Sequence, residues 1–220
     1  MRDFFDLISS KEEDENRSRR INGVVIGIVT ENNDPQGLGR IKIQFQWYSE
    51  KDETDWIRIC TPMAGSERGM FFLPDKDDEV LVAFENGDVS RPIVIGALWN
   101  RQDKAPIINT DGKNDIKGIK TRSGHEIIFR DTDGEEQIEI HSMSGQKILF
   151  DDTTGSEKII IHDKDGENSI EINSKDQSVI ILGKNILKME AENVQIEASK
   201  EMTLKASGSM VIKGQTVRIN

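Results

Sequence analysis

Gln137-Ile-Glu-Ile-His-Ser-Met-Ser-Gly-Gln-Lys-Ile-Leu-Phe150 is the stretch on which the fold turns. Ile138 and Ile140 stand two apart with one polar residue between them, and Ile148 and Phe150 repeat the spacing. An i, i+2 pair sends both side chains to one face of a strand. Working outward, the same pair recurs at Ile127/Phe129, Ile159/Ile161, Ile170/Ile172, Val179/Ile181, Leu187/Met189, Val194/Ile196, Met202/Leu204, Met210/Ile212 and Val217/Ile219. Successive pairs start 10 or 11 residues apart at first and 7 to 9 apart later, which is a repeat signature. The gaps hold Gly, Asp, Asn and Ser, as in Asp151-Asp-Thr-Thr-Gly155 and Asp163-Lys-Asp-Gly166, and these residues tolerate the positive φ of turns. No proline follows Pro106, so none removes a ladder hydrogen bond.

Two or three large inward side chains per strand are too few to enclose a core. The edges of such a ladder also expose unpaired N–H and C=O groups. Three copies wound about one axis answer both difficulties, with each strand pairing to strands of neighbouring copies. At ~4.8 Å per rung, eleven rungs make a rod of about 50 Å. The axis of this all-β trimer would be lined by Ile138, Ile140, Ile148, Phe150, Ile159, Ile161, Ile170, Ile172, Val179, Ile181, Val194, Ile196, Met202, Leu204, Met210 and Ile212. A single-chain β-solenoid and an antiparallel meander on a separate core are the alternatives. Lys184 to Ala206 is rich in helix-forming residues. Its apolar positions step by two rather than by three and four, which predicts strand.

The chain has 220 residues and a formal net charge of −11. That length admits one large or two small domains. The charge argues against a nucleic-acid or anionic-membrane surface, which needs clustered Lys and Arg. No apolar run approaches the ~20 residues of a membrane span. Met1-Arg-Asp-Phe-Phe-Asp lacks the order of a signal peptide, so synthesis in the cytoplasm is expected. The single cysteine, Cys60, excludes an intrachain disulfide and reads as a small buried residue.

Residues 1–20 read as a charge-dense tail with an apolar cluster at Phe4, Phe5, Leu7 and Ile8. Residues 21–100 read as a compact β-domain. Arg40-Ile-Lys-Ile-Gln-Phe-Gln-Trp47 alternates, predicting that Ile41, Ile43, Phe45 and Trp47 share a buried face. Glu79–Phe84 and Pro92–Leu98 are apolar strands, and Asn86-Gly87 between them signals a hairpin. Five or six short strands in about 80 residues suggest a small Greek-key barrel. Residues 101–120 read as a connector and 121–220 as the repeat region.

Several motifs now resemble a known family. They are Asp34-Pro-Gln-Gly-Leu-Gly-Arg-Ile-Lys-Ile43, Trp56-Ile-Arg-Ile59, Gly69-Met-Phe-Phe-Leu-Pro74, Asp78-Glu-Val-Leu-Val82 and Gly87-Asp-Val-Ser-Arg-Pro-Ile-Val-Ile-Gly-Ala-Leu-Trp-Asn100. Gly118-Ile-Lys-Thr-Arg-Ser-Gly-His-Glu126 and Glu136-Gln-Ile-Glu-Ile-His141 follow in order. Together they resemble the VgrG proteins of type VI secretion and the central spikes of contractile phage tails. The resemblance implies an OB-fold barrel followed by a trimeric, triple-stranded β-helix needle. It also implies a spike that sits on a hub, is driven outward by sheath contraction and pierces an envelope. Two departures matter: only about 20 residues stand where VgrG proteins carry a large hub domain, and no lysozyme domain separates barrel from needle. A separate trimeric hub protein is then expected at the barrel end. A PAAR-repeat tip protein is expected at the other, near Val217 and Ile219.

No catalytic constellation stands out. His125, His141 and His162 are far apart and form no metal-ligand spacing, and no cofactor motif occurs. The Asp-rich turns are read as turns rather than Ca²⁺ loops. The expected function is that of a structural, non-enzymatic spike. The alternatives are an OB-fold module for nucleic acid or carbohydrate and a β-helical glycan-degrading enzyme. Single-strand binding needs exposed aromatics beside basic residues. Phe45, Trp47, Trp56, Phe71, Phe72 and Phe84 are expected mostly on inward positions instead.

Overall fold

A computed structural model describes residues 20–45 and 53–219, and its fold is all-β, as expected. The chain divides into two compact units between Ile108 and Asn109, each described here by itself. Trp47 and the apolar cluster Phe4–Ile8 lie outside the described residues.

The first unit contains β1 (Val24–Glu31), β2 (Lys42–Phe45), β3 (Arg58–Ile59), β4 (Ala64–Gly65), β5 (Arg68–Gly69), β6 (Glu79–Phe84) and β7 (Pro92–Ala97). Five of them form one sheet in the order β2-β1-β6-β7-β3. All its pairings are antiparallel except β3 with β7, which is parallel. The sheet curls until its outermost strands meet. Ile41 N donates to Ile57 O at 3.1 Å, and Ile57 N donates to Ile41 O at 2.8 Å. The result is a partly open, five-stranded Greek-key barrel.

Alternation selects its core. In β6, Val80, Val82 and Phe84 point in while Glu79, Leu81 and Ala83 sit at intermediate depth. Val29, Ile41, Ile43, Phe45, Ile57 and Val94 complete the buried cluster. Fully burying side chains of this size contributes about 1.5–3 kcal/mol each. The Asn86-Gly87 signal holds, since both residues have positive φ, 53° and 78°. The turn is wider than a two-residue hairpin, with Glu85 N bonded to Arg91 O at 3.0 Å. Cys60 departs from expectation: it is exposed. Strand phase explains this, because Ile57 and Ile59 take the inward positions and place Arg58 and Cys60 outside.

The second unit is a meander of seven five-residue strands. They are β8 (Ile116–Lys120), β9 (Glu126–Arg130), β10 (Gln137–His141), β11 (Lys147–Asp151), β12 (Lys158–His162), β13 (Ser169–Asn173) and β14 (Ser178–Leu182). Spatial order follows chain order, and every pair is antiparallel. β8 lies within the stretch read as connector. The expectation that each strand pairs with neighbouring copies fails for these seven, since each pairs with the next strand of its own chain. The turns supply the reason. Gly124, Gly145 and Gly166 at one end of the sheet, and Gly134 and Gly155 at the other, take positive φ and let the chain reverse. At each end these glycines are 21 residues apart, the length of one hairpin.

Residues 183–219 carry neither helix nor ladder. The helical alternative for Lys184–Ala206 is therefore absent. The expected strands there have no partner among the described residues.

Candidate assembly surfaces

The meander sorts its residues by strand phase. One face holds two columns. Lys117, Phe129, Ile138, Phe150, Ile159, Ile172 and Val179 are successive cross-strand neighbours. So are Ile119, Ile127, Ile140, Ile148, Ile161, Ile170 and Ile181. Thirteen of these fourteen positions are apolar, with Lys117 the exception. Nothing else among the described residues of this unit covers them. Ile138, Ile140 and Phe150 each remain 40% exposed although they sit in the interior of the sheet. A sheet with one bare apolar face has only half of what a core requires.

The opposite face is mixed. Its midline runs Gly118, Ile128, Glu139, Leu149, Ile160, Glu171 and Ile180, and mostly charged and polar residues flank it on both sides. Lys147 Nζ lies 3.2 Å from Glu139, and Lys120 Nζ lies 2.6 Å from Glu126. His141 Nε2 sits 3.5 Å from Glu139 and 3.6 Å from Glu126. The Lys120 ammonium, bonded to the Glu126 carboxylate, holds that carboxyl below its ordinary range against some desolvation. Such partly exposed pairs contribute little stability, on the order of 0–1 kcal/mol each.

The structure therefore gathers the ten axis residues between Ile138 and Ile181 onto a single face. It does not bring Val194, Ile196, Met202, Leu204, Met210 or Ile212 against that face, and all six are exposed. Val217 and Ile219 are exposed as well.

In the barrel, the loop from 32 to 40 is organised by one carboxylate. Asp34 accepts hydrogen bonds from Gln36 N at 3.0 Å, Leu38 N at 3.1 Å, Arg40 Nε at 2.8 Å and Arg40 Nη2 at 2.9 Å. The Arg40 guanidinium holds the Asp34 carboxyl far below the usual carboxylate range, with the two backbone amides adding to the effect against desolvation. The loop presents Leu38 to solvent. Across a cleft of about 600 Å³, the segment from Ile59 to Leu73 presents Met63, Met70, Phe71 and Phe72. Phe71 and Phe72, expected inward, are 76% and 65% exposed. They follow the two-residue strand β5, where no ladder continues to impose an inward phase. The signal was available: Gly69-Met-Phe-Phe-Leu-Pro74 is apolar without alternation, bounded by Gly and Pro. The β4–β5 hairpin depends on Gly69, whose φ is 154° and where a Cβ would stand 2.6 Å from Met63 O.

Among the described residues no three His, Cys, Asp or Glu side chains cluster as metal ligands. No helix among them is long and apolar enough to cross a membrane. Neither surface converges polar groups on a cleft as a reacting centre would.

Residues 25–99 match the family described as the type VI secretion system/phage-baseplate injector OB domain. The chain is 33% identical over 138 residues to the type VI secretion system spike protein VgrG3 of Vibrio cholerae, covering 56% of this chain and 13% of that protein. It is 31% identical over 131 residues to the spike protein VgrG1a of Pseudomonas aeruginosa, covering 54% and 20%. The actin cross-linking toxin VgrG1 of V. cholerae is 34% identical over 112 residues, covering 47% and 10%. The chain thus spans at most a fifth of the length of these relatives.

Proposed function

The chain is a relative of the VgrG spike proteins, with the injector OB domain at residues 25–99, and from that premise we propose that it is a structural spike of a contractile injection apparatus. One observation carries the reading: thirteen apolar side chains on one face of the meander with nothing among the described residues of that unit to cover them. Contiguous apolar surface of this kind marks an interface. Three copies facing inward would close a prism whose interior is built from the columns through Ile138 and Ile140. The opposite, mixed face would look outward. The residues proposed for the axis beyond the meander are Val194, Ile196, Met202, Leu204, Met210 and Ile212.

Puncture is then mechanical. A piercing rod must resist unfolding under axial load, and forced unfolding is governed by the unfolding rate. Three apolar faces locked together would keep that rate low. The barrel would dock on a separate hub protein, with the apolar cleft between Leu38 and Phe71 as the contact. Val217 and Ile219 would seat a PAAR-repeat tip protein. The protein would be made in the cytoplasm, assembled into the particle and expelled toward the target cell.

Light scattering and electrophoresis in SDS without heating test this. The expected result is a mass of three chains at micromolar concentration and a band that resists cold SDS. A well-folded single subunit at that concentration would overturn the assignment.

A further inference from the structure

We propose that the apolar cleft of the barrel is the seat of this chain's own segment Phe4-Phe5-Asp6-Leu7-Ile8, which holds the cleft until a hub displaces it. The inference rests on the reading of that cleft as the hub contact and names what covers it in the free spike.

The seat is built before anything binds. Asp34 fixes the loop that carries Leu38 on one wall. Met70 N donates to Met63 O at 3.0 Å and Thr61 Oγ1 donates to Met70 O at 2.7 Å, which fixes the other. Leu38, Met63, Met70, Phe71 and Phe72 stay exposed between them. A contiguous apolar lining around a space of about 600 Å³ marks a binding surface. The charged residues of the lining are Glu67, at the tip of the β4–β5 hairpin, and Arg68. Arg68 folds back over Gly65 and makes no ion pair among the described residues.

Chemistry and reach identify the occupant. Residues 1–19 lie outside the described residues. Phe4, Phe5, Leu7 and Ile8 form an apolar head, and Ser9-Ser-Lys-Glu-Glu-Asp-Glu-Asn-Arg-Ser-Arg-Arg20 has no apolar side chain at all. Asp6, in the middle of the head, supplies the carboxylate that Arg68 lacks. The tether is anchored at the far end of the barrel, where Ile21 N donates to Gly87 O at 2.9 Å. From there the eight residues of β1 lead toward the cleft, about 27 Å at ~3.4 Å per residue. A tether of about 12 residues averages roughly 19 Å as a flexible coil, more when charged, and reaches about 40 Å at full extension. The span falls between those limits, so the tether raises the local concentration of its head into the millimolar range. Residues 46–52 do not compete, because Phe45 and Glu53 tie them at both ends on the side of β2 away from Leu38. A covered cleft keeps free spikes from joining one another through it. A hub that buries more apolar area displaces the head.

The test uses the full-length chain with Phe5→benzoylphenylalanine, a photoprobe that inserts into nearby C–H bonds, those of methionine above all. It is refolded with an equal amount of ¹⁵N-labelled, unsubstituted chain, irradiated and mapped by mass spectrometry. Links from position 5 should fall within 59–73, at Met63 or Met70, and should join light peptide to light. Links elsewhere, or none, would overturn the seat. Links from a light tail to a heavy cleft would overturn its assignment to the chain's own barrel. The full-length double variant Phe4→Asp/Phe5→Asp gives a second measurement. A head bound about ten to one at millimolar effective concentration slows local amide exchange about tenfold. Exchange of residues 63–70 should therefore be about tenfold faster in the variant, with β6 unchanged. Free peptide of residues 1–10 at millimolar concentration should restore the slower rate. Equal exchange in variant and wild type would overturn the proposal. Light scattering on the same samples separates the two readings. A trimer without links in 59–73 removes the seat and leaves the spike standing, whereas a monomer with them keeps the seat and removes the spike.

Discussion

Asp34 grips Arg40 with both carboxylate oxygens, at 2.8 and 2.9 Å, and through that grip closes the barrel loop that carries Leu38. The same oxygens accept from the amides of Gln36 and Leu38, so one side chain fixes four donors. A charge-assisted bidentate pair of this kind is geometrically specific as well as strong. Asp34→Asn should therefore release the loop and lower the melting temperature at neutral pH. The sign with pH follows from the direction of the shift. The folded-state carboxyl of Asp34 is depressed, so its contribution is present above the unfolded value of about 3.9 and is lost as pH falls through the folded one. The difference between wild type and Asp34→Asn should be full at pH 7 and shrink below about pH 4. Melting curves across that range check it, and a gap that widens in acid would contradict the geometry.

Ile161 and Ile180 offer a matched comparison on the meander. They are 44% and 45% exposed in the single chain, yet they lie on opposite faces of the sheet. Ile161→Lys, or Ile172→Lys on the same face, should abolish assembly. Ile180→Lys should leave the mass by light scattering unchanged. Equal tolerance at both sets would show that the apolar face is not the buried one.

The barrel core should respond as a closed interior. Ile43 is fully buried in it. Ile43→Ala should cost about 2–5 kcal/mol in denaturant unfolding of the barrel. Lys147→Ala, by contrast, removes one partly exposed partner of Glu139 and should cost about 1 kcal/mol or less. Urea titration of both variants gives the ratio directly.

Gly69→Ala tests the cleft. A Cβ there would meet the backbone oxygen of Met63 at 2.6 Å, a contact that only backbone movement can relieve. The β4–β5 hairpin should open and the Phe71–Phe72 segment should shift. Amide exchange of residues 63–70 should rise while that of β6 stays unchanged.

The sequence was most legible where one periodicity dominated. Strict alternation from Arg40 to Phe45 placed Ile41, Ile43 and Phe45 inside, and the i, i+2 pairs placed ten residues of the meander on one face. Alternation specifies a face but not a partner, so the same pairs did not show that β8 to β14 bond within their own chain. That information sat in the turns, where Gly124, Gly145 and Gly166 recur once per hairpin. Cys60 lies outside among hydrophobic neighbours because strand phase, not composition, decides the face. Phe71 and Phe72 are exposed against expectation because apolar composition alone does not distinguish a core from an exposed apolar surface.

The 21-residue recurrence of reversing glycines sets a rule for changes of length. Removing or adding one whole hairpin, for instance the span from Gln146 to Gly166, returns the chain to the same end of the sheet, travelling in the same direction. Excising a single strand with its turn would instead send everything downstream off from the wrong end, and Gly183 onward would depart on the wrong side. Length in this unit is therefore quantised in pairs of strands, and variants shortened by one pair should assemble where those shortened by half a pair do not.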